Sequence, residues 1–476
     1  MNKFQKFIAK TFGLKRYYEG ASKGRRTSGW KTGKGNADSL ASRSLPVLRD
    51  RSRDLVRNNA YASRGVDVIT TNTVGKGIVG VVKSQRKTSE KKLNTIWENW
   101  SNSTAIDFDG RHNLYGLQRL VMRTTIEAGE CLVRTRRLPA GAMFPLQFQV
   151  LEPDFLEVGN TKKLEGGGAI IHSIEFDADG KRKGYWLYKD HPGNQNIFGG
   201  TQARVFVPAS EIAHIFRMDR PGQNRGIPVM TPILIPLRDF DEFEDVQLVR
   251  QKIAASFSVF IKDISADSYD PNDPQEAEAL GEKVEPGLIE FLPPGKDIEF
   301  ANPPGVENYK EYTSVILHRI AAGLGISYEA LVQDFSETNY SSARMGRIQM
   351  DQTIDTWRSH VLKPQFLNFV AEKFMETASI MGENVTGAKV VWTPPKRELI
   401  DPTKEIPATI KAIRAGLKTL PSAIKELGEN VDDHFNELAE SNERIDKLDL
   451  TLDSDPRKVT VAGIAQGDFL PQGDEE

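Results

Sequence analysis

Cysteine is nearly missing: Cys131 is the only one in 476 residues. A single thiol excludes an intrachain disulfide framework and a cysteine-built zinc site, and it fits a reducing compartment. Long apolar runs are missing too, and nothing approaches the ~20 residues of a membrane-spanning helix. The opening MNKFQKFIAKTFGLKRYY lacks the apolar core and small-residue cleavage site of a signal peptide, so neither membrane insertion nor secretion is expected. The seven histidines are scattered, with no pair at i, i+4 and no H-E-x-x-H, which argues against a zinc hydrolase. No G-x-x-x-x-G-K-[ST] loop and no G-x-S-x-G elbow occurs, which removes P-loop ATPases and serine hydrolases of that type. An excess of one charge is also lacking: 63 Lys/Arg meet 65 Asp/Glu, a net of −2. The chain is not a polycation that coats nucleic acid.

The balance hides an asymmetry. Residues 1–36 carry ten Lys/Arg against Glu19 alone, a net of +9, and residues 429–476 carry fourteen Asp/Glu against four Lys/Arg, a net of −10. Gly20–Asn36, rich in Gly, Ser and Lys, reads as a flexible basic arm. Two readings of these ends stay open: plain solvated termini, or an arm that touches nucleic acid or an acidic partner surface.

Helical periodicity runs through Pro46–Thr73, Glu90–Asn102 and Leu114–Ala128, where Gly129 stops it. Short runs rich in β-branched and aromatic residues follow: CLVRTRRL, LQFQVLEP, AIIHSIEF, GYWLYKD and RVFVP, with a hairpin turn at Asp177–Gly180. Residues 40–215 therefore read as an α+β domain with mostly antiparallel strands. After the loop Arg220–Pro228 the spacing indicates a long helix over Met230–Phe260. Two short strands, Leu288–Leu292 and Ile298–Ala301, come next, then a helix over Tyr309–Leu324 ended by Gly325. A polar loop at Gln333–Tyr340 leads into a very long helix, Ser341–Met381, in which Pro364 is expected to force a kink or break. A strand at Lys389–Thr393 and helices over Pro402–Gly416 and Ser422–Lys447 complete the pattern.

Chemistry is hard to find in this pattern. Gly75–Gly80 fits G-x-G-x-x-G, but a helix precedes it and a strand follows, the reverse of what phosphate binding needs, so it reads as a turn. His214, in the strand-like IAHIF, reads as a structural imidazole. The segment DFDEFED places Asp239, Asp241, Glu242, Glu244 and Asp245 on one helix. A two-metal phosphodiesterase gathers its carboxylates from several elements, so a solvated face is the default reading. A nuclease using this run with Mg²⁺ or Mn²⁺, and a monomeric DNA binder using the arm, remain as alternatives.

The order of segments carries more information than any motif. RPGQNRGIPVMTPILIPLRDFDEFEDVQLVRQKIAASFSVFI (220–261), GLIEFLPPGKDIEFANPP (287–304) and IAAGLGISYEALVQDFSETNYSSARMGR (320–347) resemble the portal proteins of tailed bacteriophages, lambda-like branch. DPTKEIPATIKAIRAGLKT (401–419) and RDLVRNNAYASRGVDVITTNTVGKGI (53–78) extend the likeness over most of residues 45–445.

The resemblance implies an α+β phage portal fold: an α+β wing, long paired stem helices, a small β-containing clip and a helical C-terminal crown. On this sequence it implies a basic arm at 1–44, wing at 45–228, first stem helix at 229–260 and clip at 261–305. The second stem helix falls at 306–325, a loop facing the channel at 326–343, and a kinked helix and strand returning to the wing at 344–400. Crown helices occupy 401–447 and an acidic tail 448–476. The residues implied to line the channel are Asp241, Glu244, Asp245, Gln333, Ser336, Glu337, Thr338 and Asn339. A non-enzymatic ring, typically of twelve subunits, is implied at one capsid vertex of the virion, assembled in the host bacterial cytoplasm. Double-stranded DNA in transit, the terminase large subunit, head–tail adaptor proteins and a major capsid or scaffold protein are the implied partners. No cofactor, metal or membrane is implied.

Overall fold

The computed structural model describes residues 25–139, 141–194, 203–255, 259–263, 296–300, 309–336, 339–396 and 398–450, with isolated positions besides. Most of the basic arm, the body of the clip, Glu337, Thr338 and most of the acidic tail lie outside the described residues.

The chain enters through a short helix, α1 (Ala37–Ala41), and two longer ones, α2 (Leu45–Asn58) and α3 (Ala60–Val74). The single helix expected over Pro46–Thr73 is therefore two. Asn59 takes extended backbone angles between them, and its side chain accepts the Ala62 N–H at 2.8 Å, capping α3. An Asn cap satisfies an otherwise orphaned donor, and helical spacing alone does not reveal it. The glycine-rich segment is a turn: Gly75 and Gly77 have positive φ and deliver the chain into β1 (Val79–Lys83).

Helices α4 (Lys87–Asn102) and α5 (Leu114–Ala128) follow, then β2 (Glu130–Arg137) and β3 (Leu146–Leu151). A meander adds β4 (Lys162–Lys163), β5 (Ala169–Ile171), β6 (Ile174–Phe176), β7 (Arg182–Tyr188) and β8 (Arg204–Pro208), after which β9 (Ile212–Phe216) returns beside β2. AIIHSIEF is not one strand. His172 and Ser173 both take positive φ, folding it into a two-residue hairpin of β5 and β6. The Asp177–Gly180 turn forms as expected, with the Asp177 side chain accepting the Lys181 N–H at 2.8 Å.

Helix α6 (Leu234–Ala255) is shorter than the span expected to reach residue 260. Val259–Asp263 instead forms β10, antiparallel to β11 (Lys296–Phe300). The β-branched and aromatic run Val259-Phe260-Ile261 favours extended backbone. The expected strand at Leu288–Leu292 lies outside the described residues. Helix α7 (Tyr309–Leu324) matches its expected span, and the loop after it holds a short helix, α8 (Tyr328–Val332).

The long C-terminal helix is not broken at Pro364. It runs as α9 (Tyr340–Thr356), a π-helical stretch Trp357–Leu367 containing the proline, and α10 (Asn368–Ile380). The Asn368 N–H bonds back to the Lys363 carbonyl, five residues away. A π turn accommodates a residue that has no N–H and crowds the i−4 carbonyl. It also re-phases the helix. At about 100° per residue, the buried Met350, Ile354 and Trp357 would face half a turn away from the buried Phe366, Val370 and Phe374. Wider turns, near 80° per residue, bring both sets onto one face.

Strand β12 (Lys389–Thr393) pairs with β1. The final helices are α11 (Pro402–Arg414), α12 (Leu420–Glu426) and α13 (Val431–Lys447). The single helix expected over Ser422–Lys447 is split at Gly428, whose φ of 76° ends α12.

One large core joins α3, α4, α5, sheet β3-β2-β9, α6, α7 and the α9–α10 helix. Its aromatic centre is Trp97 edge-on to Phe374 at 4.9 Å and Phe144 stacked on Phe374 at 5.0 Å. A second, smaller core lies under the five-stranded meander, around Ile174, Tyr185 and Leu187.

Candidate functional site

The strongest polar constellation is buried where the wing meets α6. Gly129 ends α5 in a left-handed turn and delivers Glu130, fully buried, as the first residue of β2. One carboxylate oxygen receives Arg49 of α2 and the Arg225 Nε at 2.8 Å. The other receives the Gly226 N–H at 2.7 Å and lies 2.9 Å from His214 Nε2 on β9. Arg225 also donates to the His172, Pro153 and Leu156 carbonyls at 3.2–3.3 Å. Arg225 and Gly226 belong to the loop that leads into α6. Glu130 thus ties α2, two strands and the approach to α6 to one buried charge.

Burial alone would raise the Glu130 pKa, but Arg225, Arg49 and His214 hold it well below the usual carboxylate range. Burial lowers His214 to about 4 despite its bond to Glu130, and lowers Arg49 to about 10. His214 is therefore the neutral structural imidazole expected of it. Sequence reading missed Glu130, Arg49 and Arg225; Arg49 and Glu130 are charges at positions where helical and strand patterning call for apolar residues, and Arg225, in a loop, gives no such signal.

On the acidic helix, Phe240 is buried and Phe243 packs on Tyr309 and Tyr312 at 6.0 and 4.7 Å. Asp241 is half-buried and accepts the Asn59 Nδ2 at 2.7 Å. Glu244 is half-buried too; burial and the neighbouring Asp241 raise its pKa, opposed by a hydrogen bond with Tyr309. Asp239, Glu242 and Asp245 are exposed, and Glu242 pairs with Arg238 at 3.0 Å. The carboxylates of one short run thus divide between two faces. Gln333, Ser336 and Asn339 are all exposed. Gln333 takes a left-handed conformation that ends α8, and Asn339 caps α9 with a reciprocal bond from Ser342.

Among the described residues, one group has metal-ligand types in reach of each other: Glu152, Asp154 and His191, with ligand atoms within 4.8 Å. Arg53 already lies between the two carboxylates, donating to Asp154 and to Glu152 at 3.3 Å, so the cluster is an ion-pair network. Cys131 is buried, and burial pushes its thiol pKa up, away from reactivity. No helix among the described residues is long and apolar enough to cross a membrane.

These clusters hold the subunit together. Residues 23–358 match the phage portal protein, lambda family, and the chain belongs to that family. It is accordingly a portal protein, a non-enzymatic component of the virion's portal vertex. It is 25% identical over 464 residues to a probable portal protein of Halomonas phage phiHAP-1, covering 91% of this chain and 88% of that one. It is 22% identical over 455 residues to portal protein B of Escherichia phage lambda, covering 83% of each. Among solved structures, a chain of the virion of a native gene transfer agent particle aligns with a TM-score of 0.48 and 16% identity, covering 81% of this chain and 94% of that one.

Proposed function

We propose that this chain forms a closed ring, of twelve subunits, through which a terminase motor packages double-stranded DNA. The DNA later leaves by the same channel, and head–tail adaptor proteins attach to the ring. Family membership over residues 23–358 supports the role. The observation that carries assembly is that α11 and α13 bury no residue in the isolated subunit. Their apolar side chains, including Ile406, Ile410, Phe435 and Leu438, remain exposed. Helices with an apolar stripe owe most of their stability to packing, so these faces call for a partner. A heterologous interface that closes on itself supplies one and makes a channel.

In this reading the α+β region is the wing, α6 and α7 the stem, the β10–β11 region the clip and α11–α13 the crown. The channel wall takes Asp245 and the exposed loop around Gln333, Ser336 and Asn339. Asp241 and Glu244 stand behind it, held to their own subunit by Asn59 and Tyr309. A subunit of net charge −2 suits a conduit, because each phosphate neutralised by Lys or Arg adds affinity and would slow passage. Electron microscopy and mass measurement of the purified protein test the proposal. A closed ring near twelve times 53.2 kDa is expected; a stable 53.2 kDa monomer at all concentrations overturns it.

A further inference from the structure

Helices α6 and α7 pack on each other through Phe243, Tyr309 and Tyr312, yet each carries a second stripe on the side away from its core. On α6, Ile235, Asp239, Glu242, Val246 and Val249 recur at spacings of four and three, with Ile235, Val246 and Val249 exposed by 67, 63 and 53%. On α7, Val315, Arg319 and Ala322 recur at four and three, with Val315 exposed by 70%. Such 4-3 spacing is the seam by which helices pack side by side. The first seam carries acid and the second carries Arg319. Neither Asp239 nor Arg319 has an ion pair among the described residues.

Resting on the ring reading above, we propose that these two stripes are the halves of one inter-subunit contact. The outward face of α6 in one copy packs on the outward face of α7 in the next, with Asp239 paired to Arg319. Heights support the pairing. Within one subunit Ile233 lies against Gly323, and Phe243 lies against Tyr309 and Tyr312, so the two helices run antiparallel. Rotation about a ring axis leaves every residue at its own height. Asp239 falls between those two levels, within about one helical turn of Arg319, which a guanidinium side chain spans. Two different, complementary surfaces on one chain are what a closing heterologous ring requires.

Charge reversal tests the contact in the full-length protein. Arg319→Glu and Asp239→Arg are each expected to lower the fraction of protein in rings at least tenfold, read by mass photometry at fixed concentration. The double variant, carrying both, is expected to return to within about twofold of the parent. Val315→Asp, which places charge in the apolar part of the seam, is expected to abolish rings. All these sites are exposed in the subunit, so thermal melting of the monomer should not move. Parent rings that tolerate Arg319→Glu and Val315→Asp overturn this contact and leave the ring standing, as does failure of the double variant to recover. A parent that never forms rings overturns the ring reading and this contact with it.

Discussion

Gln365 completes the end of a strand that its helix only passes. Its Nε2 donates to the Phe216 carbonyl at 3.0 Å, and its Oε1 accepts the Phe216 N–H at 2.8 Å. A side-chain amide presents a donor and an acceptor side by side, as a neighbouring strand would. The π-helical stretch is therefore fastened to β9 by two backbone hydrogen bonds as well as by apolar contact.

Replacing Gln365 with Leu keeps much of the volume and removes both bonds. The expected cost is about 1–3 kcal/mol, because the Phe216 N–H and carbonyl lose their partner. Gln365→Glu keeps an acceptor but sets a carboxylate oxygen against the Phe216 carbonyl, and should cost at least as much. Denaturant unfolding measures the stability, and hydrogen exchange at the Phe216 amide locates the effect. Unchanged exchange at Phe216 in the Leu variant would show that the pair holds nothing.

Glu130 is the single negative charge between two buried guanidinium groups. Glu130→Ala strands both, so a loss of about 3–5 kcal/mol is expected, enough to deplete folded subunit in cell extracts. Glu130→Ala combined with Arg49→Met and Arg225→Met should recover part of that loss, since no stranded guanidinium then remains at this site. A triple variant less stable than the single one would sink this account.

His214 makes stability depend on pH. Its ordinary pKa is near 6.5 and burial holds it near 4, so between these values the unfolded chain binds a proton that the folded chain refuses. Stability is complete above about pH 6.5 and declines as the pH falls towards 4, by about 3 kcal/mol in all. Glu130, whose folded pKa is depressed, adds a further loss in stronger acid. His214→Gln keeps a donor to Glu130 and does not titrate, so its urea midpoint should be flatter between pH 6.5 and 4. An equally steep profile in that variant would assign the slope to other groups.

Pro364 fits the π turns, but two sets of buried side chains also demand them. Pro364→Ala is therefore expected to leave the winding intact and to change stability by less than about 1 kcal/mol, a surface-like value for an exposed residue. A structure of the variant settles the point. An α-helical stretch there, with Phe366 or Phe374 turned out of the core, would show that the proline alone sets the winding.

Where the sequence was legible, one physical signal governed each element. Helices α5 and α7 appear at their expected bounds because an apolar stripe ends at Gly129 and at Gly325. Legibility failed where a local choice overrode the pattern. Asn59 interrupts a continuous helical period with a cap, and His172 and Ser173 adopt a turn that glycine or asparagine would have advertised. Trp357–Leu367 changes the helical period itself, which a fixed count of 100° per residue does not show. The acidic run was visible, but its division between an inner face at Asp241 and an outer face at Asp239 depends on Asn59 and Tyr309. Glu130, Arg49 and Arg225 are far apart in the chain and have no spacing to betray them.

The pairing of β1 with β12 joins Val79 to Thr393 and Lys83 to Lys389, more than 300 positions later. At roughly 5–20 residues per second on the ribosome, the first strand waits about 15–60 s for its partner to be made. Throughout that interval the site that Trp392 covers against Trp97 stands open, with their rings later 5.7 Å apart. The nascent subunit thus carries an unfinished aromatic surface until translation is nearly over. The last stretch of synthesis, past residue 393, is what allows this surface to close.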